Sequence, residues 1–175
     1  MKEKESYVYF KKIACKGKYQ DDQAIPDLIN YIRRKEKTPN GMIFSENVDQ
    51  DNMAGSMIKV SEKYRKNSRL RLHHFIISFT PEYKSRTDLV IRIAKKICKY
   101  VGGWYQIVAA VHEDTDNPHI HFVFNAVSYI DGRKYRGGKK EYKELAERIG
   151  KILSKEGRFI LIKVKYKPQP LDPHE

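Results

Sequence analysis

Two apolar runs joined by a short acidic segment constrain the fold of this chain more than any other feature. The first run, Tyr105–Val111, ends at His112, and the second carries His119 and His121 at its start. Short runs rich in β-branched and aromatic residues, separated by a polar turn, are typical of an antiparallel hairpin. A hairpin would return His112 to the side of His119 and His121, so the sequence predicts three neighbouring imidazoles.

Side chains in a strand alternate between its two faces. His119, His121 and Asn125 therefore share one face, and the apolar residues between them form the other, which a core requires. Three neutral imidazoles with open positions for water or substrate indicate a catalytic rather than a closed structural metal site. Asp114 and Asp116 are expected to accept hydrogen bonds from the imidazoles, or one of them to bind the metal directly. The alternative is that these are surface histidines near a turn.

Length and charge limit the domain count and the class of partner. At 175 residues the chain suits a single domain, predicted at residues 1–167, with 168–175 as a frayed tail. A formal net charge of +13 favours polyanions, most simply a nucleic-acid backbone whose counterions are released on binding. The basic residues are spread along the whole chain, which predicts a folded basic surface.

The expected location follows from cysteine usage and hydropathy. Cys15 and Cys98 are far apart in apolar contexts, which indicates free thiols in a reducing compartment. No apolar stretch is long enough to span a bilayer, and the charged start of the chain does not resemble a signal peptide. The sequence predicts a cytoplasmic protein without membrane insertion.

Hydrophobic periodicity predicts an α+β domain with a central, mainly antiparallel sheet of about five strands and helices packed on it. His73 and His74 point to opposite faces of one predicted strand and are interpreted as packing residues. A tight turn is predicted at Asp131–Gly132. The predicted strands are 7–14, 72–79, 105–111, 119–125 and 159–164, and the predicted helices are 23–36, 49–66, 85–100 and 140–157.

Tyr31 lies at the edge of the apolar stripe of helix 23–36, beside a run of basic residues, where it is placed to meet a phosphate. The chain has twelve tyrosines, and most of them must be packing residues. The basic residues with interleaved aromatics suit a single-stranded nucleic-acid path, although each is equally compatible with a solvated loop. The candidate DNA-binding residues are Arg33, Arg34, Lys35 and Lys37 near the tyrosine, and Arg133, Lys134, Arg136, Lys139 and Lys140 after the Asp131–Gly132 turn.

These motifs resemble those of MobP-type mobilisation relaxases, which are HUH endonucleases with a relaxase, or mobilisation nuclease, domain. The U of that name is a bulky apolar residue, here Ile120. The resemblance covers about residues 20–130, with the motifs in the expected order. The matching segments are Asn30-Tyr31-Ile32 with the basic residues after it, His74-Phe-Ile-Ile-Ser78-Phe79, and His112-x-Asp114-x-Asp116-x-Pro118-His119-Ile120-His121 followed by Asn125.

The resemblance implies a DNA strand transferase. The Tyr31 hydroxyl would attack one phosphodiester at a transfer origin, leaving a 5′-phosphotyrosine and a free 3′-hydroxyl, and the covalent bond would allow religation. An ion held by His112, His119 and His121 would polarise the scissile phosphate. The resemblance implies Mg²⁺ or Mn²⁺, and imidazoles also suit Zn²⁺.

Further site residues and partners come from the same resemblance. Asp114, Asp116 and Asn125 are candidate supporting residues of the catalytic site, the aspartates by orienting the histidines. The implied partners are single-stranded DNA of a transfer origin, auxiliary relaxosome proteins and a coupling protein.

Other functions remain open at this point. A rolling-circle replication initiator would use the same chemistry on a different origin. A three-histidine zinc hydrolase would need no tyrosine, and a basic nucleic-acid-binding module would need no metal. If Tyr31 is not the nucleophile, Tyr19 is the next candidate.

Overall fold

The two histidine-bearing strands pair with each other inside a six-stranded sheet. This computed structural model describes residues 6–13 and 19–164, so the predicted tail at 168–175 and Cys15 lie outside the described residues. The sheet has the order β2-β4-β5-β3-β1-β6 and is antiparallel except where β1 pairs with β6. The strands are β1 Ser6–Lys12, β2 Ile43–Glu46, β3 Leu72–Phe79, β4 Ile107–His112, β5 His119–Asn125 and β6 Phe159–Val164.

Helices cover both faces of this sheet. Two of them, α3 and α4, pack on the face that carries the larger apolar cluster, which includes the β5 residues Ile120, Phe122 and Phe124. The other two, α1 and α2, pack on the opposite face around a smaller cluster that includes Val123. The α-helices of the described residues are α1 Ala24–Ile32, α2 Met53–Lys63, α3 Thr87–Gly102 and α4 Lys139–Ser154.

The predicted α+β class and the mainly antiparallel sheet are confirmed, and the strand count is corrected from about five to six. The additional strand, which is not predicted from the sequence, is β2. It has only four residues, pairs only with β4 at the edge of the sheet, and is half-buried throughout. A run this short carries too little alternation to be distinguished from a loop.

Helix α1 ends at Ile32, four residues before the end predicted from the sequence. Its buried positions stop there, and the next four residues, 33–36, are all exposed. Because most helical stability in a protein comes from packing of the apolar face, the helix has no reason to continue. The Thr38 hydroxyl donates to the Ile32 carbonyl oxygen at 3.3 Å.

The predictions of a free thiol at Cys98 and of a tight turn at Asp131–Gly132 can also be compared with the structure. Cys98 is a buried free thiol in α3, and burial raises its pKa to about 12. The turn at Asp131–Gly132 is present, with Gly132 at φ +71°, but the segments on either side of it form only an isolated β-bridge, between Val127 and Lys134.

None of the helices in the described ranges is long and apolar enough to cross a membrane.

Candidate metal centre

The hairpin of β4 and β5 brings three histidines together. His112 is directly opposite His119 in the strand register, and His121 is opposite Ala110. The ring centroid of His112 lies 4.3 Å from that of His121 and 5.2 Å from that of His119. One nitrogen of each ring can be chosen so that all three lie within 4.8 Å of one another, a spacing that one ion can bridge.

Backbone carbonyl groups orient two of these rings. His112 Nε2 lies 2.7 Å from the carbonyl oxygen of Ile32, and His119 Nδ1 lies 3.0 Å from that of Asn117. A carbonyl oxygen can only accept, so each of these nitrogens carries the proton. The other nitrogen of each ring keeps its lone pair, which is the form that binds a metal.

The third ring is oriented by another histidine. His121 Nδ1 lies 2.9 Å from His74 Nε2, and both side chains are buried. His74 and His73 do point to opposite faces of β3, as predicted. His73 packs against Phe124 and Tyr135, as interpreted from the sequence, whereas the contact of His74 was missed. Alternation along β3 indicated which face His74 occupies. Its contact with His121 could be predicted only by knowing that β3 lies beside β5.

Burial keeps two of the three clustered histidines, His112 and His121, in the neutral form that a metal requires. Burial lowers the pKa of His112 and lowers that of His121 well below its usual value. Burial likewise lowers the pKa of His74 to about 3. His112, His119 and His121 therefore fit a divalent cation, and three imidazoles with open positions do not select one metal.

Among the described residues, no hydrogen bond joins Asp114 or Asp116 to the three rings, although both are predicted from the sequence to orient the histidines. Both are exposed residues of the connection between β4 and β5. Asp114 instead forms an ion pair with Lys37 at 3.6 Å. The polar groups that contact the three rings are Ile32 O, Asn117 O and His74.

Tyr31 faces the histidine cluster from the last turn of α1. Its side chain is 39% exposed, and its ring lies edge-on to that of His121 with a centroid distance of 6.0 Å. The Arg34 guanidinium carbon lies 5.1 Å from the centre of the Tyr31 ring, and Lys37 Nζ lies 5.9 Å from it. Tyr19, the alternative candidate, packs against the smaller apolar cluster.

The two predicted groups of basic residues lie at different ends of β5. The first group follows α1. Arg34 and Lys37 lie against the Tyr31 ring, and Arg33 and Lys35 are exposed. The group from Arg133 to Lys140 follows the opposite end of the strand, where the Lys134 ammonium donates to the Ser68 carbonyl. The structure therefore brings only the first group to the histidines. Of the second, Arg133, Arg136, Lys139 and Lys140 are exposed and Lys134 is half-buried.

Asn125 shares a face with the histidines but not their neighbourhood. It lies four residues beyond His121, about 13 Å along the strand. Its amide is fully buried and donates to Met57 O and to Gln106 Oε1, each at 3.0 Å, while its Oδ1 accepts from Val127 N–H. These three hydrogen bonds occupy the side chain within the fold.

An open groove of about 700 Å³ runs from His119 and His121 across the sheet. Its floor follows the strand register: His119 is opposite Ser78, which is opposite Tyr9, and His121 is opposite Ile76, which is opposite Lys11. The groove is lined by Tyr9, Lys11, Tyr31, Ile76, Ser78, Thr115, Asn117, His119, His121 and Val164.

Comparison with known proteins identifies the family. Protein TraI of Escherichia coli is 29% identical over 106 residues, which cover 57% of this chain and 14% of TraI. Protein rlx of Staphylococcus aureus is 29% identical over 116 residues, 65% of this chain and 34% of rlx. The chain thus spans at most about a third of the length of these curated relatives.

A solved structure also aligns with part of this chain. It is described as "Molecular Basis of Vancomycin Resistance Transfer in Staphylococcus aureus" and aligns with a TM-score of 0.48 and 17% sequence identity. The alignment covers 71% of this chain and 74% of that one.

The family model described as "Relaxase: MobA/VirD2-like, nuclease domain" matches residues 31–158, well over half of the chain. The match begins at Tyr31 and includes β4, β5 and all three clustered histidines. The chain belongs to the MobA/VirD2-like relaxase family.

Proposed function

We propose that this protein nicks and religates one strand of DNA at a transfer origin, with Tyr31 as the nucleophile. The observation that carries the proposal is the position of an exposed phenol edge-on to His121, in the groove that His119 and His121 also line. An exposed tyrosine in such a place can reach a phosphate that is bound against the imidazoles.

The reaction exchanges one ester bond for another. The Tyr31 oxygen forms a bond to phosphorus while the bond from phosphorus to the 3′-oxygen breaks. The phenol loses its proton and the departing 3′-oxygen gains one, so no proton is consumed overall. Because the bond energy is kept in the phosphotyrosine, the free 3′-hydroxyl can attack it and restore the strand.

The three histidines suit a divalent cation that would polarise the scissile phosphate and neutralise charge developing on it. The chain's own contribution is to orient His112, His119 and His121 and, through burial, to keep His112 and His121 neutral. The cation proposed is Mg²⁺ or Mn²⁺, with Zn²⁺ compatible with the same ligands.

Positive charge near Tyr31 supports phosphate binding at this point. Arg34 and Lys37 both lie within 6 Å of the centre of the tyrosine ring. Lys37 also forms an ion pair with Asp114. The role of Asp114 in this proposal is therefore to position the Lys37 ammonium group, not an imidazole. Tyr9 and Lys11, which line the same groove, offer an aromatic surface and a further positive charge to single-stranded DNA.

The remaining parts of the proposal rest on the family. The DNA would be an origin of transfer, bound with auxiliary relaxosome proteins and a coupling protein in the cytoplasm, for mobilisation of a plasmid or integrative element. The basic group from Arg133 to Lys140 would contact DNA away from the cleaved bond.

Formation of a covalent adduct tests the proposal. We expect a single-stranded origin oligonucleotide with Mn²⁺ to give a protein–DNA adduct on a denaturing gel, and both chelation and Tyr31→Phe to abolish it. Tyr31→Phe should still bind the oligonucleotide. Tyr100→Phe is the matched control, because Tyr100 is 38% exposed, like Tyr31, but lies on α3.

Each alternative predicts a different result. An adduct retained in Tyr31→Phe would reassign the nucleophile, with Tyr19 examined next. Cleavage without any adduct, unchanged by Tyr31→Phe, would indicate a metal-dependent hydrolase. Cleavage of a replication origin in preference to a transfer origin would indicate a rolling-circle initiator.

A further inference from the structure

His121 differs from the other two candidate ligands in the partner of its outer nitrogen. His112 and His119 each donate to a backbone carbonyl oxygen, which fixes the position of the proton. The partner of His121 Nδ1 is His74 Nε2 at 2.9 Å, and an imidazole nitrogen can either donate or accept. The proton position on His121 therefore depends on His74.

Only one of the two arrangements is compatible with a metal. If His121 Nδ1 donates to His74 Nε2, then His121 Nε2 has a free lone pair and His74 carries its proton on Nδ1. If His74 Nε2 donates instead, the proton of neutral His121 must lie on Nε2, which then cannot bind an ion. The hydrogen bond between the two rings thus decides whether the third ligand is available.

We propose that His74 is a positioning residue for the metal centre, which accepts the hydrogen bond from His121 Nδ1–H and so keeps His121 Nε2 free to bind the cation. This inference rests on the proposed function, because it requires the three histidines to hold an ion. The ring planes of His74 and His121 are tilted by 30° at a centroid distance of 5.1 Å, so the contact is a hydrogen bond between ring edges rather than a stack.

The surroundings of His74 support a role beyond packing. The side chain is only 5% exposed, and its Nδ1 has no hydrogen-bond partner among the described residues. A buried polar atom without a partner destabilises a fold, and an apolar side chain at this position would avoid that penalty.

Substitution of His74 separates positioning from packing. His74→Leu keeps an apolar volume but cannot accept a hydrogen bond, and we expect the affinity for Mn²⁺ to fall by about 10- to 100-fold. His74→Gln offers an amide oxygen that can accept from His121, and we expect it to restore most of that affinity. His73→Leu is the matched control, because His73 is also 5% exposed but lies on the opposite face of β3.

The measurement is calorimetric titration of each full-length variant with Mn²⁺ alone, together with thermal unfolding in EDTA to establish that the metal-free protein is folded. We also expect His74→Leu to lower kcat for oligonucleotide cleavage more than it raises KM, and the loss to shrink at saturating Mn²⁺. Wild-type affinity in folded His74→Leu would overturn the inference, as would an equal loss in His73→Leu.

A second measurement needs no substitution at His74. Nitrogen-15 NMR of the histidine rings in the Zn²⁺-bound wild type reports which nitrogen of each ring carries the proton. We expect His121 to be protonated at Nδ1 and His74 to be protonated at Nδ1, and protonation of His121 at Nε2 would overturn the inference. Absence of metal binding by the wild type would instead remove the proposed function itself.

Discussion

The Nε2 atom of His112 lies 2.7 Å from the carbonyl oxygen of Ile32, the residue that ends helix α1 and directly follows Tyr31. Carbonyl groups in the last turn of a helix have no partner within the helix, so this one is free to accept from the imidazole. A single hydrogen bond thus joins the helix that carries the candidate nucleophile to the hairpin that carries the candidate metal ligands.

This link predicts different stability effects for two histidines that are both proposed to bind metal. His112 is buried, so His112→Ala leaves a cavity and removes the shorter of the two hydrogen bonds to the Ile32 carbonyl oxygen, and we expect the metal-free protein to lose about 2 to 4 kcal/mol of stability. His119 is half-buried, and His119→Ala should cost about 1 kcal/mol. Urea unfolding in EDTA measures both.

The same two variants test metal linkage. A cation that binds only the folded state, at about a hundredfold its Kd, should stabilise the wild type by about 2.7 kcal/mol. We expect neither variant to gain this increment on addition of Mn²⁺. Equal metal-free stabilities for the two variants would contradict the link between His112 and Ile32.

The role of Asp114 gives a second prediction. Because Asp114 pairs with Lys37 and makes no hydrogen bond to the three rings, we expect Asp114→Asn to keep the affinity for Mn²⁺ within about threefold, well short of the loss typical of a group that supports a ligand. Loss of the ion pair should instead weaken binding of a single-stranded oligonucleotide. A tenfold fall in Mn²⁺ affinity would show that the aspartate acts on the histidines.

Particular residues show how far the sequence could predict this site. The hairpin was predictable because two apolar runs of strand length enclose a short polar turn, and His112, His119 and His121 meet as expected. The contact of His74 was not, because it depends on β3 lying beside β5, and a sequence gives the faces of a strand but not its neighbours. The sheet class followed from periodicity, whereas the short edge strand β2 did not.

The sequence pattern also did not show which residues on one face of a strand lie close enough to act together. Alternation correctly put Asn125 on the face of His119 and His121, but a face extends over the whole strand, and the four residues from His121 move Asn125 about 13 Å away. Likewise the helical pattern around Tyr31 identified the correct face of α1 but not its end, which is set by where packing stops.

Asn125 accordingly gives a third prediction, in which its substitution affects folding rather than the reaction. Asn125→Ala removes the partner of the Val127 N–H and of Gln106 Oε1 and one of the donors to Met57 O, and we expect a loss of about 2 to 4 kcal/mol in urea unfolding. Nicking per folded molecule should be unchanged. The exposed Asn67 serves as control, since Asn67→Ala should alter stability by no more than about 0.5 kcal/mol. A lower kcat for nicking in fully folded Asn125→Ala would instead show that Asn125 belongs to the catalytic site.

The groove gives a fourth prediction, concerning the path of the bound strand. If Lys11 contacts a phosphate, Lys11→Gln should weaken oligonucleotide binding and reduce the slope of log affinity against log salt concentration by about 0.7. Lys99 is exposed on α3, on the other face of the sheet, and Lys99→Gln should leave the slope unchanged. Equal slopes for both variants would exclude the groove as the path.

His73 gives the last prediction, which concerns stability at acid pH. Burial lowers its pKa from 6.5 to about 4, although the hydrogen bond to the Tyr135 carbonyl oxygen raises it in part. Below pH 6.5 the unfolded chain binds a proton at this residue that the folded protein does not bind until about pH 4. The folded state therefore loses about 3 kcal/mol across this interval through His73 alone.

We expect His73→Phe to remove this contribution. At pH 7.5 the variant should be less stable than the wild type by about 1 kcal/mol, because the Tyr135 carbonyl loses its donor. Between pH 6.5 and 4 its stability should fall less steeply, so that the two curves converge and then cross. Urea unfolding at several pH values in EDTA measures this, since His112, His121 and His74 titrate in both proteins and cancel in the difference. Parallel curves would mean that His73 is as easily protonated in the folded protein as in the unfolded chain.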